Sequence, residues 1–279
     1  MPANAPVRGA TALVGLLLAA AVAGRFIGVG PLAGVVPPDQ VTDPGEMIAR
    51  SLQATLDAAS VHIAGTLDGG LPGALLERDE AIVDLAGTTI TADLRPRDAR
   101  THARVTGPSL DVNLETITVW TTAWYRSVGG RWRQVPVGDA TSGTGVDINP
   151  LTLVDRVRSY LATTSRKPSS MDVPCGSASG RCHEVRLDAG TDPAGVLAGM
   201  LPGADDGSLP AVSTVITLQT DALTLRPAAL SVVAASADGT VDLRLTLVFG
   251  NWDGPVRIEE PAAGDVSPDD VSPDDVSPE

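Results

Sequence analysis

Apolar and polar residues alternate along much of this chain, and where they do not, apolar positions tend to recur every three or four residues. The clearest alternation sets Val241, Leu243, Leu245, Leu247 and Phe249 against Asp242, Arg244, Thr246 and Val248. A two-residue period places one set on each face of a strand, so this run predicts a strand with one buried face. Val212 to Thr220 and Ala229 to Ala237 precede it, and Asp238-Gly239 is a strong two-residue hairpin turn. Earlier, Val61, Ile63, Gly65 and Leu67 share one strand face with His62 on the other, followed by a Gly/Pro-bearing loop from Asp68 to Glu80. Ala81 to Leu85, Thr89 to Leu94, Ala99 to Thr106 and Leu110 to Trp120 then follow in close succession. The stretch Val119 to Val135, V-W-T-T-A-W-Y-R-S-V-G-G-R-W-R-Q-V, reads as strand, Thr-Thr turn, strand, Gly129-Gly130 turn, strand, and holds Trp120, Trp124, Tyr125 and Trp132. His183 to Leu187 is a further strand, and Val256 to Glu259 a candidate terminal edge strand. Strands joined by short turns must pair antiparallel, because parallel pairing needs a crossover of about a dozen residues or more.

Three segments carry the helical period instead. Asp43 is a candidate N-cap, Pro44 suits the first turn, and Met47, Ile48, Leu52, Leu56 and Ala59 follow at helical spacing as far as Ser60. Pro150 opens a second helix with Leu151, Val154, Val157 and Leu161 on one side. Asp192-Pro193 starts a third, through Leu201, with Val196, Leu197 and Met200 as its apolar side. The expected fold class is α+β: a curved antiparallel β-sheet, a half-barrel, with helices packed on its concave face. Helices that cover such a sheet without filling the gap leave an apolar cavity. Its candidate lining is Leu52, Leu56, Leu151, Val154, Val157, Leu161, Val196 and Met200. A close-packed core built from the same residues satisfies the periodicity equally well.

The ends divide differently. Residues 1–38 combine Arg8, an apolar run from Ala10 to Gly24 and A-x-A spacing at Ala21-Val22-Ala23, which predicts an export signal or, if uncut, a membrane anchor. Residues 39–45 are a tether, 46–261 the folded domain, and 262–279 an acidic tail in which D-V-S-P recurs three times. That tail lacks apolar periodicity and is expected to be disordered.

The net charge of −14 opposes nucleic-acid binding, which draws on Lys and Arg clusters. Six of the acids fall in the last fifteen residues, leaving the domain only mildly acidic. Arg95, Arg97, Arg100 and Arg104 gather near one turn, either as a solvated edge that resists aggregation or as a contact for anionic head groups. Cys175 and Cys182, separated by G-S-A-S-G-R, favour a disulfide in an exported protein. A zinc site would want tighter Cys pairing and a second pair. His62, His102 and His183 stand singly, and no H-E-x-x-H, G-x-S-x-G or G-x-x-x-x-G-K motif occurs. Gly28-x-Gly30-x-x-Ala33 follows no strand, so no dinucleotide site is assigned. Neither catalytic residues nor a cofactor are implied.

Four segments carry a family resemblance. They are M-I-A-R-S-L-Q-A-T-L-D-A-A-S-V-H-I-A-G-T-L, the strands A-W-Y-R-S and G-R-W-R-Q-V, the helix P-L-T-L-V-D-R-V-R-S-Y-L, and T-V-D-L-R-L-T-L-V-F-G-N-W-D-G-P-V-R-I-E-E-P. Across Pro44 to Pro261 the chain resembles the LppX/LprG-type lipoproteins of actinobacteria, which are similar in fold to the LolA carrier. The resemblance implies a non-enzymatic protein that binds or transfers lipids or glycolipids in the cell envelope. The family's acylated cysteine is replaced here by Arg25 after A-V-A-G, so cleavage or a retained anchor must substitute. The alternative is an envelope sensor or regulatory domain of the RseB type, which would bind a protein partner.

Overall fold

The computed structural model of the chain describes residues 41–73, 79–109, 111–136, 167–175, 180–191 and 211–267. Its strands, in chain order, are β1 (Val61–Pro72), β2 (Ile82–Asp84), β3 (Thr88–Arg95), β4 (Arg100–Gly107), β5 (Val112–Val119) and β6 (Thr122–Ser127). Then come β7 (Arg133–Pro136), β8 (Ser169–Pro174), β9 (Arg181–Thr191), β10 (Val212–Asp221), β11 (Pro227–Ser236) and β12 (Asp242–Gly250). They form one sheet of order β7-β6-β5-β4-β3-β1-β12-β11-β10-β9-β8, with β2 paired to the far end of β1. The sheet is curved, antiparallel and unclosed, and one main helix, α1 (Pro44–Asp57), accompanies it among the described residues.

β1 lies at the middle, with β3 on one side and β12 on the other, so the start of the domain is held by its end. Ile63 sits opposite both Ala92 and Phe249, and Gly65 opposite both Ile90 and Leu247. This register puts the alternating apolar residues of β1, β3, β4 and β12 on one face, the core face. Val61, Ile63, Leu67, Ile90, Leu94, Val105, Leu114, Leu243, Leu245 and Leu247 are all buried in a single cluster there. On the other face, His62 reaches Asp93 at 2.7 Å and Asp242, Arg244 and Thr246 are exposed, as alternation requires.

α1 begins where the sequence placed it. Asp43 caps it by accepting the Glu46 N–H at 2.8 Å, and Pro44, which has no N–H to lose, occupies the first turn. The predicted disulfide joins Cys175 and Cys182, Cα atoms 5.0 Å apart, and fastens β8 to β9 beside the Val173–Cys182 pair.

Several boundaries differ from expectation, each for a local reason. β1 runs on through Gly69-Gly70 to Pro72, where a loop was expected. Gly69 takes φ +106, and a Cβ there would lie 1.8 Å from the Asp242 carbonyl oxygen, so the close pairing with β12 exists because the residue has no side chain. β8 lies in the Ser/Lys/Pro stretch that ends at Pro174, where no strand was predicted. All but one of its residues are exposed, so its pairing comes from the disulfide turn rather than from burial. The segment 256–259 is not an edge strand. Pro255 and Pro261 bracket it, Ile258 is buried, and the Ile258 carbonyl accepts from Arg100 Nη1 at 2.6 Å, so a side chain replaces the ladder. The tail expected to leave the domain at 262 first makes a short 3-10 turn, Ala263–Asp265, and then bridges to Trp132. The expected second and third helices, over 150–161 and 192–201, lie outside the described residues, as do 1–40 and 268–279.

Candidate functional site

The core face is not covered evenly. Around β1, β3 and β12 its side chains are buried: Ile63, Leu67, Leu94 and Leu247 are each at most 2 % exposed. Along β10 and β11 the same face carries Ile216, Leu218, Leu230 and Val232, all only half-buried, and Phe249 continues this at the end of β12. Register makes them one patch, since Leu218 lies opposite Leu230 and Leu230 opposite Leu247, while Ile216, Val232 and Leu245 form the next row. Tyr125 and Thr118, on the same face of β6 and β5, are half-buried at the other flank.

α1 is anchored beside the half-buried patch. Its buried Met47 packs with Val41, Val185 of β9 and Leu225 of the β10–β11 turn, with Ile48 against them. Val185 is the direct cross-strand partner of Leu218, which places the helix on the core face next to the apolar rows. Leu52 and Leu56, the two candidate lining residues that are described, are both half-buried on this helix. Leu151, Val154, Val157, Leu161, Val196 and Met200 lie outside the described residues, so the lining named from the sequence is placed only at these two positions.

Sequence reasoning missed the sheet's own share of this surface. Leu230 and Val232 sit in a run apolar at nearly every position, Ile216 and Leu218 in a mixed one, and periodicity could not say which side of each strand is left partly open. It also missed a set of buried hydroxyls. Thr101 and Thr116 on the core face, Thr88 nearby, Thr220 on β10 and Ser51 on α1 bury their oxygens without a hydrogen-bond partner among the described residues. A buried hydroxyl left without a partner costs roughly 1–3 kcal/mol, so these groups would gain from a polar ligand atom.

The titratable groups are paired in ways that suit structure better than acid–base work. On the solvent face Glu115 is buried and receives His102 Nε2 at 2.7 Å, Arg126 Nε at 2.8 Å and Arg104 at 3.4 Å. Burial raises its pKa, but hydrogen bonds from His102 and Arg126 outweigh this and hold it below the usual glutamate value. His183 lies 2.8 Å from Asp172 Oδ1, and Asp172 also meets Arg181; hydrogen bonds from these two hold the Asp172 carboxyl low. The other ring nitrogen of His183 is buried with no hydrogen-bond partner among the described residues. Among the described residues no group of three or more His, Cys, Asp or Glu is placed to hold a metal, and no helix is long and apolar enough to cross a membrane.

No family model matches this sequence, and no curated protein matches it. Solved structures do. The lipoprotein LppX of Mycobacterium tuberculosis is 16% identical, the match covering 78% of this chain and all of that one, at a TM-score of 0.48. An uncharacterized conserved protein from Thermus thermophilus is 10% identical over 80% of this chain and 97% of its own, at 0.42. A LolA superfamily protein from Nitrosomonas europaea is 9% identical over 78% and 96%, at 0.29. The fold is similar to theirs. Function has to be read from this chain's own residues.

Proposed function

We propose that this chain is a non-enzymatic lipid-binding or lipid-transfer protein of the cell envelope, exported by its N-terminal segment, that holds acyl chains against the core face beside α1. The observation that carries this reading is the half-buried patch Ile216, Leu218, Leu230, Val232 and Phe249 in the interior of a continuous ladder. Leu230, Val232 and Phe249 pack against the core cluster but stay only partly buried, so each leaves part of the roughly 1.5–3 kcal/mol of full burial unrealised. Hydrocarbon is the ligand that recovers it, since it asks for no directional partner. Leu52 and Leu56 on α1 face the same requirement.

Native mass spectrometry of protein made in its own host tests the reading. The expected result is a mass excess that fragments to lipid. A Leu218→Glu, Val232→Glu double variant should lower lipid occupancy by about 10-fold or more, because carboxylates in the patch must be desolvated to admit a chain. Wild-type protein free of lipid, or a double variant as fully loaded as wild type, overturns it.

A further inference from the structure

The acidic tail repeats itself, and the first repeat is bound. D-V-S-P occurs at 265–268, 270–273 and 275–278, each followed by Asp or Glu. The main-chain N–H of Trp132 donates to the Asp265 carbonyl at 2.9 Å and the Trp132 carbonyl accepts the Ser267 N–H at 2.8 Å, a parallel bridge that clips the first repeat beside β7. Val266 between them packs against a small apolar cluster on the solvent face, formed by Val119, Trp124 and Trp132, with Ile117 alongside. Arg126 lies over the Trp132 ring at 4.3 Å, and Arg131 and Arg133, both exposed, flank Trp132 in sequence.

The clip uses three things only: a backbone carbonyl before the valine, the valine side chain, and a backbone N–H after it. Every repeat supplies all three. The proline that follows has no N–H, so pairing stops after one bridge. Two backbone hydrogen bonds and one half-buried valine make a weak contact, one that exchanges readily and depends on the high local concentration a tether provides.

We propose that the Trp124–Trp132 cluster is a docking site for the D-V-S-P repeat, and that the second and third repeats of the same tail are interchangeable with the first as its occupants. The tail then covers the outer edge next to β7 in three alternative registers, and losing one repeat leaves the edge covered. Exposed sheet edges invite strand addition from other chains, which gives the redundancy a purpose.

Amide exchange by NMR on the full chain tests this. Val266→Asp alone should speed exchange of the Trp132 amide by only about 1.5-fold, the loss of one of three equivalent binders. Val266→Asp, Val271→Asp and Val276→Asp together should speed it by about 10-fold or more, with the Ile63 and Gly65 amides in β1 unchanged as a control on folding. Adding the peptide D-D-V-S-P-D-D-V-S-P-E at millimolar concentration to the triple variant should restore protection, and a scrambled peptide should not. Interchangeability is overturned if the single variant exchanges as fast as the triple, if the triple matches wild type, or if the repeat peptide fails to protect Trp132.

Discussion

The two halves of the core face are built from the same pattern and end up in different states. Around β1, β3 and β12, Ile63, Leu67, Leu94 and Leu247 are buried to within 2 % of completely, while Ile216, Leu218, Leu230 and Val232 on β10 and β11 are half-open. Both halves belong to one sheet, although β10 in the open half carries a bulge against β9 at Thr214/Val215 and another against β11 at Gln219/Thr220, while the pairings of β1 run without a shift. What differs is how closely other parts of the chain approach. At Gly65 that approach is made by β12 itself: an added Cβ would lie 2.5 Å from a Leu247 methyl and 2.6 Å from the Thr246 carbonyl oxygen, both on the paired strand. Alternation therefore decides which face is apolar, and tertiary approach decides whether that face is a core or a binding surface.

Substitutions should separate the halves in proportion to this difference. The largest effect is expected at Gly65→Val, because the Thr246 carbonyl belongs to the paired β12 backbone and cannot move aside. A cost of about 3 kcal/mol in urea unfolding is expected, the upper range for overpacking a closed site. Leu247→Ala should cost a similar amount by leaving a cavity, whereas Leu230→Ala, its direct neighbour in the ladder, should cost about 1 kcal/mol, since that side chain is already partly open. Equal losses at Leu247 and Leu230 would mean that both halves are packed alike and would remove the basis for a ligand surface.

The next effect concerns the anchor of the open half. The disulfide holds β8 against β9, and β9 carries Val185, on which Met47 of α1 rests. Replacing both cysteines by serine should cost about 2.5 kcal/mol on the loop-entropy model for so short a loop. Hydrogen exchange should then rise in β8, β9 and α1 before it rises in β1 or β3. Uniform loosening across the sheet would show that the two halves unfold as one unit and that α1 has no separate seat.

How much of this was legible beforehand follows the same divide. The Asp43-Pro44 start of α1, the Asp238-Gly239 hairpin and the meander through β3 to β6 are written in local chemistry, a cap, a turn and a two-residue period, and the structure places them within a few residues of expectation. β8 was not legible, because Ser169, Ser170 and Asp172 pair only where the disulfide turn returns them to β9. The docking of Val266 was not legible either. A single valine among prolines and acids has no periodicity, and only the distant Trp124 and Trp132 give it a place. At the candidate site, Leu52 and Leu56 were readable from the helix, but Leu218 and Val232 were not, because openness is a property of what lies above a strand.

Behind the closed half, on the solvent face, Glu115 ties β5 to His102 and Arg104 of β4 and to Arg126 of β6. Glu115→Gln should cost about 2 kcal/mol near neutral pH, the scale of hydrogen bonds to a charged group. The folded pKa of Glu115 lies below its unfolded value, so its stabilising contribution is complete above the ordinary glutamate range and is lost as pH falls through the folded value. The glutamine variant should therefore show a flatter acid limb than wild type. An unchanged limb would mean that the three cations do not favour the carboxylate.

The smallest expected effect sits behind the open half, at the turn joining β11 to β12. The Asp238 carboxylate accepts from Ser236 Oγ at 2.6 Å, Thr240 Oγ1 at 2.7 Å and the Thr240 N–H at 3.0 Å, and these bonds, Ser236 first, hold its pKa down to about 2. Its contribution is present above the ordinary aspartate range and is lost only as pH falls through about 2. Because Asp238 is exposed, the consequence should be local. Asp238→Ala should speed amide exchange at Gly239 and Val241 while leaving overall stability nearly unchanged, and carboxyl NMR should find the wild-type group still ionised at about pH 3. A titration midpoint near the ordinary aspartate value of about 4 would show that the hydroxyls of Ser236 and Thr240 do not hold the turn. The register of β11 on β12, and with it the alignment of Leu230 and Val232, would then rest on the core-face contacts alone.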